Sequence, residues 1–169
     1  MAIQQAAPEE GRPGDLGLSL GVLLRVLNSA LTDITAGCPH GVRGYQVLST
    51  VARENLPSQL ALAERLGLDR TVMTYLIDDL AAARLVRRQP NPGDRRQRMI
   101  VATPHGARTL ARLEGKVREA EEAVLAGLGP AERSTFRGLL QRAASRYDDV
   151  RAEDVCQLLG ESARPAGRP

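Results

Sequence analysis

A mainly α-helical fold with one small β-hairpin is the architecture this chain predicts. The first reason is composition. Of 169 residues, 43% are hydrophobic but only 2% are aromatic; Trp is absent, Phe136 is the single phenylalanine, and the tyrosines are Tyr45, Tyr75 and Tyr147. A core of Leu, Val, Ile and Ala favours helix, whereas strands draw on aromatics that are scarce here. The second reason is period: apolar residues recur at three- and four-residue steps through most of the chain. The third is an exception to that period. Leu85–Gln89 and Arg98–Thr103 are short extended segments separated by Pro90–Gln97, a turn-rich loop, and the pair reads as a hairpin.

Taken in order, Met1–Gly14 is polar and rich in Pro and Gly and reads as a disordered tail, as does the stretch from 160 to 169. Asp15–Ala36 is a helix with apolar residues at 16, 20, 23, 24, 27, 31 and 34, widened sideways by Val22, Val26 and Ala30. A helix apolar on most sides needs cover on most sides, and in a chain this small a second subunit is a natural source. Val42–Arg53 is a second helix, with Tyr45, Leu48 and Val51 facing inward. Ser58–Leu66 is a short third helix with Leu60, Ala63 and Leu66 apolar, closed by Gly67. Asp69 caps a fourth that runs to about Arg84. After the hairpin, Thr103 and Pro104 restart helix as N-cap and first helical residue. Gly127-Leu128-Gly129-Pro130 ends that long helix, and a last one runs from about Ala131 to Leu159. The expected organisation is a tail (1–14), a dimerisation helix (15–36), a central lobe (37–103), further dimerisation helices (104–159) and a tail (160–169).

Several classes drop out early. The formal net charge is +3, and Lys116 is the only lysine, so the positive charge is nearly all Arg, the side chain suited to phosphates and base edges. Cys38 and Cys156 lie far apart, with no CxxC spacing, which predicts neither a disulfide framework nor a metal site. The first residues lack the basic flank and apolar run of a signal peptide. The segment Leu16–Leu31 is broken by Gly17, Gly21, Arg25 and Asn28 and falls short of the roughly 20 apolar residues of a membrane span. A cytoplasmic chain with no membrane partner and no cofactor is expected. No Ser/His/Asp arrangement, phosphate-binding Gly loop or metal triad stands out, so an enzyme is not expected; the acids Glu119, Glu121, Glu122, Asp148 and Asp149 read as solvated helix faces.

Ser58–Arg84, SQLALAERLGLDRTVMTYLIDDLAAAR, has helix-turn-helix grammar: a short helix, a turn with Gly67, and a capped second helix. Val72, Met73, Leu76, Ile77 and Leu80 form the apolar face of the second helix. Thr71, Thr74, Tyr75 and Asp78, at i, i+3, i+4 and i+7, share a polar stripe, with Arg70 beside them. Short hydroxyls near a helix start suit insertion into the DNA major groove; the same stripe also fits an ordinary solvated face. The next segment decides between them. Arg84, Arg87 and Arg88 precede the hairpin turn and Arg95, Arg96 and Arg98 follow it, against Asp94 alone. A hairpin tip beside a recognition helix reaches the minor groove, whose negative potential attracts Arg, while flanking arginines meet phosphates. Asp94, two residues from Arg96, is placed to hold that guanidinium in a bidentate pair.

These residues resemble the MarR-type winged helix-turn-helix regulators over roughly residues 16–147. LVRRQPNPGDRRQRMIVATPHG, residues 85–106, looks like the family's wing signature: Asp94-Arg95-Arg96, then Ala102-Thr103-Pro104-His105-Gly106, with Ala102 where Leu is usual. Residues 60–88 are similar to the family's two DNA-facing helices. The resemblance implies a homodimer made by the first and last helices. It implies Arg96 at the wing tip, oriented by Asp94, and Arg70, Thr71, Thr74 and Tyr75 in the major groove. Two-fold symmetry then predicts double-stranded DNA with a pseudo-palindromic operator, its half-sites roughly one helical turn (10–10.5 bp) apart. It further implies a repressor relieved by a small ligand. Candidate ligand residues, for an acidic or phenolic effector, are Arg25, Asn28, His40, Arg43 and Tyr45; each also has a structural reading. Alternatives are a redox-responsive regulator through Cys38, with His40 and Arg43 nearby, and a winged helix serving as a protein-interaction module with the basic hairpin on an acidic partner.

Overall fold

The computed structural model describes residues 15–56, 58–94 and 96–147. The two expected tails, the course of the last helix from 148 to 159, Cys156 and Arg95 lie outside the described residues. The elements follow the expected order. They are α1 (Asp15–Thr35), α2 (Gly41–Arg53), α3 (Gln59–Leu66), α4 (Arg70–Ala82), β1 (Val86–Pro90), β2 (Arg98–Ala102), α5 (Pro104–Val124) and α6 (Pro130–Ala144), with a 3-10 turn at Ser145–Tyr147. β1 and β2 form a two-stranded antiparallel hairpin in which Val86 faces Ala102 and Arg88 faces Ile100. This is a helical fold with a winged helix-turn-helix centre.

Local chemistry sets the helix ends. Ser58 accepts from the Ala61 N–H at 3.1 Å and opens α3; Gly67 closes it in the left-handed region, where a Cβ would cost energy. Asp69 accepts from the Thr71 and Val72 N–H groups at 2.7 and 3.3 Å and caps α4. α4 ends slightly short of the expected Arg84, because Arg84 itself takes a left-handed φ of 59°. Its N–H bonds to Ala81 and that of Leu85 to Leu80, both at 2.9 Å, the paired bonds of a Schellman end. Thr103 caps α5 by accepting from the Gly106 N–H at 2.9 Å, with Pro104 in the first turn.

The core gathers Val47, Leu48 and Val51 of α2, Leu62, Ala63 and Leu66 of α3, and Met73, Leu76, Ile77 and Leu80 of α4, with Leu85, Val86, Ile100 and Leu110 closing it. Two apolar residues of these helices stay at the surface. Leu60 is 49% exposed, and Leu62 takes its place at 1%; Val72, in the solvent-facing first turn of α4, is 39% exposed. Gly106 lets α5 start against the wing: a Cβ there would overlap the carbonyl oxygen of Leu85.

α1 packs mainly along α5 and more lightly on α2. Leu16, Leu18, Val22 and Val26 remain more than half exposed. In α6 no residue is buried, and Leu139 and Leu140 remain exposed. Between α1, α5 and α6 lies an apolar groove of about 540 Å³ walled by Leu20, Leu24, Leu27, Val124, Phe136 and Leu140. Contrary to the reading of residues 16–31, α1 is long and apolar enough, by length and composition alone, to cross a membrane. In the fold it lies against α5 and carries a buried Asn28 and an exposed Arg25.

Candidate nucleic-acid interface

α4 turns Met73, Leu76, Ile77 and Leu80 into the core, which leaves the stripe one helical step away facing out. Arg70, Thr71, Tyr75 and Asp78 are exposed, Tyr75 by 64%, and Thr74 is half-buried. Arg87, Arg88, Arg96 and Arg98 are exposed on the wing. The loop end of the wing and the start of α4 face each other across an open cleft of about 280 Å³, lined by Ser58, Gln59, Arg70, Thr74, Gln97 and Arg98.

Some of these side chains are already engaged with one another. Asp78 pairs with Arg88 at 2.7 Å, so its charge is matched by the wing. The same Arg88 nitrogen donates to the Gln59 side-chain oxygen at 3.5 Å. Gln59 Nε2 donates to the Thr74 hydroxyl at 3.0 Å, and that hydroxyl donates to the Arg70 carbonyl at 3.0 Å. Sequence reading missed Gln59. Nothing local marks it, since its partners come from α4 and β1, 15 and 29 residues away.

The expected guanidinium pair at the wing tip is replaced by a different arrangement. Asp94 Oδ1 accepts from the backbone N–H of Arg96 at 3.0 Å, and Oδ2 accepts from the Gln97 side-chain amide at 3.2 Å. The Asp94 carbonyl takes the Gln97 N–H at 2.9 Å. Asp94 therefore shapes the backbone of the turn that presents Arg96, and does not hold the Arg96 guanidinium. The reason is proximity: a turn brings the N–H two residues ahead to an Asp side chain with little loss of freedom, while a guanidinium must be immobilised first.

The candidate ligand residues are spread over α1, the turn before α2, and α2. Arg25 and Arg43 are exposed on α1 and α2. His40, with a left-handed φ of 60°, bonds Asp79 of α4 through Nε2 at 2.7 Å. Tyr45 is half-buried; burial pushes its hydroxyl pKa up, Glu114 adds to that, and Arg53 opposes it. Asn28 is 2% exposed, and neither its side-chain oxygen nor its nitrogen has a hydrogen-bond partner. None of the five lines the apolar groove or the wing cleft. Cys38 contradicts the redox reading: it is 7% exposed within the core cluster, and burial raises its thiol pKa. A sensor thiol needs access and an electropositive setting that favours thiolate.

Comparison with known proteins agrees with this geometry. A model of the MarR family matches residues 44–97, from α2 through the wing loop. The chain is 36% identical over 132 residues to the protein assigned to transcriptional regulation of the hcr operon in Thauera aromatica, covering 76% of this chain and 78% of that one. It is 28% identical over 141 residues to the HTH-type transcriptional repressor NicR of Pseudomonas putida, covering 81% and 89%. Among solved structures it is similar to CouR from Rhodococcus jostii RHA1 bound to p-coumaroyl-CoA, at 29% identity and a TM-score of 0.56 over 80% of this chain and 96% of that one. With its fold, its wing and these relatives in agreement, the chain belongs to the MarR family of transcriptional regulators.

Proposed function

We propose that this regulator is a cytoplasmic homodimeric repressor that grips a pseudo-palindromic operator and releases it on binding a small acidic or phenolic effector. The observation that carries the reading is the single outward face shared by α4 and the wing. It presents Arg70, Thr71, Thr74 and Tyr75 beside Arg88 and Arg98, with Arg96 at the wing tip, while Arg87 is exposed on the opposite face of the hairpin. On this reading α4 enters the major groove, Arg96 reaches the minor groove, and the flanking arginines meet phosphates. Asp78 contributes by restraining Arg88, and Asp94 by shaping the turn.

In the proposed division, residues 15–36 and 104–159 make the dimer and 37–103 the DNA-binding lobe. The exposed leucines and valines of α1, the bare face of α6 and the groove between them support this, because exposed apolar surface of that extent marks an interaction site. For the effector, the supporting feature is Asn28. A buried amide without partners costs about 1–3 kcal/mol, and a polar ligand that satisfied it would recover that energy. CouR, bound to an aromatic acyl-CoA, shows the kind of molecule to try first.

The test is a gel-shift titration of the full chain on its own upstream DNA, at two salt concentrations with excess nonspecific DNA, alongside Arg96→Ala. Selective, salt-sensitive retention that Arg96→Ala weakens supports the reading. Retention without sequence preference favours a protein partner for the wing.

A further inference from the structure

A chain of hydrogen bonds runs from Asp78 and Arg88 into the cleft between α3, α4 and the wing, and its donors and acceptors all match in one direction. It starts at Asp78, which as a carboxylate only accepts, and Arg88, which only donates. Arg88 Nη2 lies 2.7 Å from Asp78 Oδ1 and 3.5 Å from Gln59 Oε1, so its two protons go to those two oxygens. A guanidinium cannot accept, and this disfavours a flipped Gln59 amide with its NH₂ toward Arg88. The Gln59 NH₂ then faces Thr74, 3.0 Å away, and the Thr74 hydroxyl accepts from it. The hydroxyl proton goes to the Arg70 carbonyl, which also only accepts, at 3.0 Å. Thr74 is left with one free lone pair and no proton to give. It is half-buried and lines the open cleft.

We infer that Thr74 is a specificity-determining residue that reads the operator as an acceptor only, with Gln59 as the positioning residue that holds it so. The inference rests on the DNA-binding reading of α4. In the major groove, adenine and cytosine offer an amine, whereas guanine offers N7 and O6 and thymine offers O4, all acceptors. An acceptor-only hydroxyl favours the amine of adenine or cytosine. It sets lone pair against lone pair at the guanine edge, and only the methyl of thymine suits the Thr74 methyl. Each half-site therefore contains one position at which guanine is rejected. Nothing in the helix sequence alone implies this, because a free Thr hydroxyl both donates and accepts.

The experiment is selection of DNA from a random-sequence library by the full chain and by Thr74→Val, Thr74→Ser and Gln59→Ala. The wild type should disfavour guanine at one position of each half-site by about five- to tenfold, the scale of one misplaced contact. Thr74→Val keeps the shape and the methyl but loses the acceptor, and should lose the discrimination at that position only. Thr74→Ser should retain it. Gln59→Ala frees the hydroxyl to rotate and donate, and should relax the same position with Thr74 still present. Guanine preferred at the position that Thr74→Val alters would overturn the inference, as would selected sequences identical for wild type, Thr74→Val and Gln59→Ala. If the wild type enriches no sequence at all, the DNA reading itself fails and the inference falls with it. Enrichment with unchanged specificity removes the inference alone.

Discussion

Replacing Thr103 with Val deletes one hydroxyl from the point where the recognition helix, the wing and α5 meet. That hydroxyl accepts from the Gly106 N–H at 2.9 Å and donates to the Arg84 carbonyl at 2.6 Å, with the Leu85 carbonyl 3.3 Å away. Losing an N-cap acceptor costs about 1 kcal/mol. Losing the short bond to the Arg84 carbonyl costs about 1 kcal/mol more, the usual net worth of one hydrogen bond. Val matches Thr in volume and branching, so no cavity adds to the sum. The expected loss is about 2 kcal/mol. With a urea m-value of about 2 kcal/mol/M, the unfolding midpoint should fall by about 1 M. Urea titration followed by circular dichroism measures it, at one fixed protein concentration because association would make the midpoint concentration-dependent. Thr103→Ser should recover most of the loss. A midpoint lowered by less than about 0.25 M would refute the reasoning, since it would place the bonds' net worth near zero.

Gly106→Ala sets a Cβ against the backbone carbonyl of Leu85, where no rotamer change can relieve the overlap. The expected cost is about 3 kcal/mol, or about 10 °C in Tm for a chain this long; an unchanged thermal melt would contradict the close approach. The Asp69 carboxyl is held below its ordinary value of 3.8 first by the Thr71 N–H and then by the Val72 N–H. Its folded pKa is the lower one, so its contribution is complete above the unfolded value and is lost as pH falls through the folded value. Asp69→Asn keeps a neutral cap, so the stability gap between wild type and variant should narrow between about pH 5 and pH 2; a constant gap would be evidence against the cap's ionic part. Cys38, buried with a raised thiol pKa, should resist alkylation in the native protein and react once denatured; rapid native labelling of the Cys38 peptide in mass spectrometry would reopen the redox reading.

Much of the candidate DNA interface was legible from residue order because its causes are local. The 3.6-residue period puts Thr71, Thr74, Tyr75 and Asp78 on one stripe whatever the rest of the chain does. Capping works the same way. Ser58, Asp69 and Thr103 each take an N–H two or three residues ahead, and Gly67 accepts a left-handed turn without strain. The misreadings also have a common origin. Leu60 and Val72 are apolar residues at plausible positions, but only the directions of α3 and α4 relative to the core decide that Leu62 goes in and Val72 stays at the surface. Asp94 had several donors within reach, and the shape of the turn chose the Arg96 backbone over its guanidinium.

The sequence by itself therefore determined the helical order, the hairpin, the caps and the arginine-rich wing beside a hydroxyl-bearing helix, because each follows from interactions within a few residues. The tertiary structure alone decided which polar groups meet across the chain. It joined Gln59 to Thr74 and Arg88, and His40 to Asp79 across 39 residues. It also buried Cys38 and left the Asn28 amide enclosed without a partner. Those outcomes depend on how α1, α3, α4 and the wing are packed, and a side chain's partners are set by that packing and not by its neighbours in the chain.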